Sequence, residues 1–254
     1  MLNLIGTWTL FKRETQRFLK VYLQTLAAPI VSNLLYFAIF GLGVSQYVPD
    51  IDGITYLQFL VPGLIIMGII NSAFQNPSSS IIIMKYQGLI DNLLTVPLRK
   101  GEILLAFTAS AVLRGLLVGL MTYLTAIFFV DLPYTSVSLI FLTSTLIALF
   151  FSFLGIIVGI WANSFDRTAF IASFILQPLI FLGGVFYSIK NLPPLAQQIS
   201  AFNPIVYMVD LMRYSFTGLL DHNLTISLLI VSATTFLLGL ISYLLLRSGW
   251  RMEG

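Results

Sequence analysis

The sequence contains no cysteine, which rules out disulfides, thiolate metal sites and cysteine nucleophiles together. It has a single histidine, His222, in a loop beside Asp221 and Asn223, and one imidazole cannot build a metal cluster. Charge is scarce: 9% of the 254 residues are charged and 58% are apolar, whereas a soluble domain carries about a quarter charged residues. Such a chain cannot cover a folded surface with water-compatible groups, so lipid covers much of it. The long apolar runs hold no aspartate or glutamate. Proton-coupled carriers need an ionisable relay at membrane depth, so this absence disfavours them. A G-x-x-x-x-G-K-[ST] phosphate loop is also missing, which excludes that route to binding ATP. Neither a Ser/His/Asp set, nor a zinc motif, nor a paired intramembrane carboxylate occurs. No residue is therefore assigned a catalytic, cofactor-binding or metal-ligating role.

What is present is a series of spans, each of about 20 apolar residues for a hydrocarbon core of about 30 Å. They are expected near Ala27–Gln46, Tyr56–Gln75, Ile103–Val130, Val137–Ala162, Thr168–Phe186 and Leu224–Leu246. Pro29 suits the first turn of its helix, while Pro62 and Pro178 lie inside theirs and are expected to kink them. Before the spans, Leu4, Trp8, Phe11, Phe18 and Tyr22 recur opposite Lys12, Arg13, Gln16 and Lys20, the pattern of an amphipathic helix at the membrane surface. The first hydrophobic run far exceeds the roughly 7–15 residues of a cleavable signal core and is expected to stay as the first span.

Six spans put both termini on one side. On that side lie Lys12, Arg13, Arg17, Lys20, Lys85, Arg99, Lys100, Arg167, Arg247 and Arg251, ten of the thirteen basic residues. The other side holds Lys190 and Arg213 with Asp50, Asp52, Asp131, Asp210 and Asp221. The positive-inside rule then predicts cytoplasmic termini, and the net charge of +3 reports orientation rather than nucleic-acid binding. Arg114 falls inside the third span, about 5 Å within the inner boundary if that span ends at Val130. Two readings stay open there: snorkelling to the interface, or contact with a carboxylate such as Glu102.

The largest loop on the basic side reads NPSSSIIIMKYQGLIDNLLTVPLRKGE, Asn76 to Glu102. Asn76-Pro77 is expected to stop the second span. Ile83, Tyr86, Leu89, Ile90, Leu93 and Leu94 then recur at three- and four-residue spacing, which predicts a short amphipathic helix ended by Pro97. Such a helix either inserts into a partner's groove or rests on the bilayer. The membrane interior is lined by apolar groups with a few neutral amides: Asn33, Asn71, Gln75 and Gln177. A route lined by such surfaces suits an amphiphilic solute better than a bare ion, although single amides also pair between helices.

In order, PIVSNLLYFAIFG, FLVPGLI, YQGLIDNLLTVPLRKGEI, LGGVFYSIKNLPP and FNPIVYMVDLMRYSFTG resemble the ABC-2 type (type-2 exporter) permeases of ABC transporters, especially the YadH-like and NodJ-like members. The resemblance covers essentially the whole chain, 1–254, as one transmembrane domain. It implies an all-α membrane protein of six transmembrane helices with an N-terminal connecting helix (1–26), a cytoplasmic coupling-helix loop (77–102) and an external re-entrant segment (183–222) between spans five and six. It also implies a half-transporter. Two copies of this chain would form the translocation path in the bacterial inner membrane, surrounded by lipid. Two copies of a cytoplasmic ATPase would hold ATP and magnesium, with no cofactor in this chain and no nucleic-acid partner.

By the same resemblance Met84, Lys85, Tyr86, Gln87, Gly88, Leu89, Ile90, Asp91, Leu93 and Leu94 form the coupling helix that docks on the ATPase. Many members carry glutamate where Gln87 stands, which weakens a salt-bridge account of that contact. Lys12, Arg13 and Glu14 on the connecting helix would add contacts. The external lid would comprise Gly183, Gly184, Phe186, Tyr187, Pro193, Pro194, Pro204, Tyr207 and Arg213, with Arg213 able to pair with Asp210 three residues before it. Broken backbone of this kind is tolerated at membrane depth only where protein covers it. Asn71, Gln75 and Gln177 are pathway candidates, with the first, second and fifth spans lining the route. The cargo class stays wide: amphiphilic, lipid-like, drug-like or saccharide. An autonomous secondary transporter or channel, and a scaffold that recruits a cytoplasmic partner, are the alternatives.

Overall fold

The computed structural model describes residues 3–90 and 95–250, so Asp91, Leu93 and Leu94 of the expected coupling helix lie outside the described residues. The chain is an all-α membrane protein. The first helix, α1 (Leu4–Lys20), starts at Asn3, whose side chain accepts from the Gly6 N–H. The first span follows as a π-helical stretch (Leu23–Ala27), α2 (Ala28–Phe37) and a second π-helical stretch (Ala38–Val44). Then come α3 (Tyr56–Tyr86), α4 (Lys100–Ala126) and α5 (Val137–Trp161). The next helix runs unbroken through α6 (Phe165–Phe170), a π-helical stretch (Ile171–Leu176) and α7 (Gln177–Phe181). Two shorter helices, α8 (Pro194–Ala201) and α9 (Pro204–Thr217), precede the last, α10 (Leu224–Ser248).

Five of these elements are long and apolar enough to cross a membrane: the first span, α3, α4, α5 and α10. The expected fifth span corresponds to the helix from Phe165 to Phe181, about 25 Å long and shorter than a hydrocarbon core of about 30 Å. It starts earlier than expected because the Ser164 hydroxyl caps it by accepting from the Arg167 N–H. Pro29 and Pro178 each stand directly after a π-helical stretch. Proline has no N–H to give and its ring collides with the carbonyl four residues back; a widened turn makes room for it without ending the helix.

The second span departs most from expectation. Asn76-Pro77 does not stop it, and α3 continues for 31 residues, about 46 Å. The carbonyls around Pro77 find donors other than backbone N–H groups. The Ser78 hydroxyl donates to Phe74 O at 2.8 Å, the Ser79 hydroxyl to Asn76 O at 3.2 Å, and Arg17 Nη2 to Asn76 O at 2.6 Å. Hydroxyls and neighbouring helices keep such helices whole in membranes. Of the short helix expected across Ile83–Leu94, Ile83 to Tyr86 instead complete α3, which ends at Gln87 and at Gly88 with its φ of +65°, and residues 91–94 lie outside the described residues.

Buried apolar side chains of α3 pack with α5, α9 and the end of the first span into the main core, which includes Phe37, Leu64, Phe74, Phe151 and Met208. α3 and α5 approach so closely that a Cβ on Gly155 would lie 2.3 Å from Phe74 O, and one on Gly159 would lie 3.1 Å from Ile81 Cβ. Association of helices in lipid depends on such close packing, since lipid supplies no hydrophobic drive between them. A second cluster joins Leu10 of α1, Met84 of α3, Ile90, Ile103 and Phe107 of α4, Ile156 of α5 and Leu246 of α10. That cluster gathers the helix ends carrying Arg17, Lys85, Arg99 and Arg247 at one end of the molecule, termed here the basic end. The opposite end, where the external lid is expected, is termed the lid end.

Candidate functional site

The site has two parts, one at each end of α3. At the lid end the chain leaves α7 through Gly183 and Gly184, and Gly184 sits in the left-handed region at φ +80°. A Cβ on Gly183 would stand 2.7 Å from Ile205 Cγ2, so α9 rests directly on this turn. Asn203 joins the two helices, its Oδ1 accepting from the Ile205 N–H at 3.1 Å and its Nδ2 donating to Leu179 O at 2.7 Å. Pro204 occupies the first turn of α9, where it needs no N–H.

Three contacts bind this turn to α3. Arg213, 5% exposed, donates through Nη2 to Gly184 O at 2.9 Å and stacks 3.6 Å from the centroid of Phe59. The Tyr56 hydroxyl donates to Phe186 O at 3.0 Å. Gly63 has no side chain to keep Val185 O away; a Cβ there would be 2.8 Å from it. The Phe186 ring lies 5.9 Å from Tyr36, 5.3 Å from Phe40 and 5.5 Å from Phe181, so one aromatic knot gathers the first span, α7 and the lid turn.

The expected pairing of Arg213 with Asp210 does not form. Asp210 instead accepts from the Asp221 and His222 N–H groups at 2.8 and 2.9 Å, closing the loop into α10. Its carboxylate lies 3.4 Å from His222 Nδ1. Tyr207 donates to Ala201 O at 3.0 Å and its ring lies 5.1 Å from His222. Tyr187 is half-buried, whereas Pro193 and Pro194 are exposed at the start of α8. An ion pair of 2.6 Å joins Lys190 to Asp221, and the hydrogen bond from that carboxylate holds the ammonium above the ordinary lysine range. The raised value means that this clasp is complete below the ordinary lysine pKa of about 10.4 and is lost as pH rises beyond it.

At the basic end α1 lies across the ends of α3 and α4. Glu102, 2% exposed, accepts from the Asn3 N–H at 2.7 Å and the Arg99 N–H at 2.8 Å, fixing the start of α1 to the start of α4. The face α1 turns inward carries Leu10, Glu14 and Phe18. Leu4 and Trp8, part of the expected apolar face, are exposed, as is Ile5. Of the connecting-helix candidates, Lys12 is exposed and Arg13 is half-exposed, while Glu14 at 1% exposure is turned into the protein. Glu14 accepts from Arg13 Nη2 at 2.8 Å and Arg17 Nε at 3.1 Å. Arg17 reaches on to Asn76 O, Asn76 Oδ1 at 3.1 Å and Ser79 Oγ at 3.2 Å, and Arg13 donates to the Met84 sulfur at 3.3 Å. Sequence reasoning passed over Arg17 as a site residue; its three-residue spacing from Glu14 was the one available signal.

The described coupling candidates divide into two groups. Met84 and Ile90 are buried in the second cluster. Lys85 Nζ donates to Ile160 O and to Ala162 O at 3.1 Å, satisfying carbonyls at the end of α5. Tyr86, Gln87, Gly88 and Leu89 are exposed and form the outward surface. The pathway candidates are not drawn together. Asn71 donates to Met67 O of its own helix at 3.0 Å, Gln75 is exposed, and Gln177 is half-buried. Asn33 instead pairs with Thr122 Oγ1 at 2.7 Å, tying the first span to α4. Among the described residues no group of histidine and carboxylates is placed to hold a metal ion.

A family model described as ABC-2 type transporter matches residues 6–217. The chain is 39% identical over 232 residues to the inner membrane transport permease YadH of Escherichia coli (strain K12), covering 91% of each protein. It is 27% identical over 221 residues to nodulation protein J of Rhizobium leguminosarum bv. viciae, covering 85% of this chain and 83% of that protein. With nodulation protein J of Neorhizobium galegae the identity is 23% over 219 residues, covering 86% and 82%. The matched region holds both parts of the site, from α1 through α9. The chain therefore belongs to the ABC-2 type transporter family, as a membrane permease of an ABC transporter.

Proposed function

We propose that two copies of this chain form the translocation path of an ATP-driven exporter in the bacterial inner membrane, powered by two copies of a separate cytoplasmic ABC ATPase. The absence of a phosphate loop from the sequence fits a permease whose nucleotide and magnesium are held by that partner. The concentration of basic residues at the end carrying α1 supports placing that end in the cytoplasm. The name of the Escherichia coli relative supports the inner membrane.

One observation carries the mechanism. α3 is a single helix of 31 residues whose first turns hold the lid and whose last turns hold α1 and the surface around Tyr86. In this reading ATP closes the two ATPase subunits and moves the Tyr86–Leu89 surface. The displacement passes into α3 and α1 through the cluster around Met84 and Ile90, and Tyr56, Phe59 and Gly63 carry it to the lid. The energy enters at the ATPase, since a two-state element shifts only as far as its ligand discriminates between the states. The cargo is an amphiphile that enters from the cytoplasm or inner leaflet and leaves past the Gly183–Gly184 turn.

Gentle solubilisation from the native membrane, followed by mass and ATPase measurement of what travels with the chain, tests this. The expected result is a complex of two permeases with two ATP-hydrolysing subunits. If the chain purifies alone under conditions that preserve a known ABC exporter, an autonomous carrier or scaffold replaces the reading.

A further inference from the structure

Among the described residues Arg114 is the one buried cation that receives no hydrogen-bond acceptor or ion-pair partner. It is 7% exposed, its Nε is shut off from solvent without an acceptor, and no protein group among the described residues hydrogen-bonds to it. It does not contact Glu102, which lies three helical turns away and is occupied by the Asn3 and Arg99 N–H groups. Nor does it snorkel. α4 ends at Ala126 rather than Val130, which puts Arg114 about 12 Å inside a 30 Å core, and its side chain is buried within the protein. The charge whose field bears on it is another cation, Arg17.

Its neighbours follow from register. Asn76 Nδ2 donates to Ser110 Oγ at 3.1 Å, and a Cβ on Gly68 would sit 3.2 Å from Val118 Cγ1. α3 and α4 run antiparallel, so the buried Ser72 stands level with Arg114, between those two contacts. Thr122 holds Asn33 two turns further along the same face. Arg17, Asn76, Ser110, Ser72, Arg114 and Thr122 thus form a polar seam where α1, α3 and α4 meet, reaching the first span at Asn33. Beyond it the first span presents exposed Val31, Leu34 and Leu35. A guanidinium stays charged in proteins, and an unpaired charge at membrane depth is costly unless an anion meets it.

We propose that Arg114, supported by Arg17, is the binding site for the phosphate headgroup of an amphiphile whose tail lies along the apolar flank of the first span. A planar fork of donors suits a phosphate oxyanion, and the hydroxyls of Ser72 and Ser110 and the Asn76 amide are the neutral groups such an anion would meet. As a statement about cargo this rests on the export reading; as a statement about binding it stands without it.

The test is binding to the purified chain or complex with no ATP present, read by native mass spectrometry and thermal shift. Three probes are compared: dihexanoyl phosphatidic acid, the matching diacylglycerol, and inorganic phosphate. The expected result is at least a 10-fold preference for phosphatidic acid over diacylglycerol. Arg114→Gln abolishes that preference, and Arg114→Lys weakens it several-fold. Without probe, Arg114→Gln melts no lower than the wild type, because the charge it removes has no partner. Inorganic phosphate binding as well as phosphatidic acid would assign the site to free phosphate and overturn the amphiphile. Equal binding of phosphatidic acid and diacylglycerol by the wild type, or an unchanged preference in Arg114→Lys and Arg114→Gln, overturns the site itself. Since no turnover is measured, failure of export leaves this result standing, and the reverse also holds.

Discussion

Gly155→Ala is expected to lower the thermal midpoint of the detergent-solubilised protein by on the order of 10 °C, and Gly155→Leu to leave no monodisperse protein. A Cβ at this position would stand 2.3 Å from Phe74 O and 3.0 Å from Pro77 Cγ. The obstacle is backbone in a helix that already carries a proline, so it cannot rotate away as a side chain tip would. Phe74 O is also the acceptor for the Ser78 hydroxyl that helps α3 past Pro77, so pushing the helices apart disturbs that repair too. Overpacking of this kind costs about 1–3 kcal/mol or more, and about 3 kcal/mol corresponds to roughly 10 °C in a chain of this size. Gly43→Ala, with nothing within 4 Å of its added Cβ, is the matched control and should melt close to the wild type. A Gly155→Ala protein with an unchanged midpoint would show that α3 and α5 do not approach as described.

The second large effect concerns coupling. Glu14→Gln is expected to leave ATP hydrolysis by the assembled complex near the wild-type rate while transport per ATP falls about 10-fold. Glu14 is almost fully buried and, among the described residues, is the only carboxylate serving Arg13 and Arg17, which in turn hold Asn76, Ser79 and Met84 of α3. Losing one partner of a fully buried pair costs about 3–5 kcal/mol. The arginine side chains are 52% and 28% exposed, so solvent screening brings the expected loss to about 2 kcal/mol. Most of that loss falls on the joint between α1 and α3 rather than on the core, so the protein folds while the joint loosens. Side-by-side flux and hydrolysis in proteoliposomes measure the ratio, and wild-type coupling in Glu14→Gln would remove α1 from the transmission route.

The membrane character, the helical class, the amphipathic helix at the start and the broken segment between Gly183 and Pro204 were legible because composition and periodicity report them directly. What escaped the sequence shares one physical cause: partners distant along the chain. Asn76-Pro77 reads as a stop only while its carbonyls are assumed to lack donors, and one of those donors is Arg17, 59 residues away. Asp210 and Arg213 have the spacing of a helix-surface pair, yet each found a backbone partner elsewhere, at Asp221 and His222 and at Gly184. Glu14 sits among basic residues on a surface helix and reads as exposed, but two arginines make its burial tolerable. The π-helical stretches before Pro29 and Pro178 follow from accommodating proline inside a continuing helix, an outcome that propensity does not encode. The family resemblance pointed to both candidate regions, whereas the α3 connection between them appeared only once the second span was seen to run on to Tyr86.

The central claim is that α3 carries an ATP-driven change from the basic end to the lid. Because the chain has no cysteine, single labels can be placed without removing native thiols. Tyr86→Cys at 85% exposure and Phe202→Cys at 90% exposure mark the two ends. Each is spin-labelled in the reconstituted complex, and copy-to-copy distances are recorded with and without trapped ATP. The account predicts that both distance distributions shift when ATP is trapped. A shift at position 86 with no change at position 202 would contradict it.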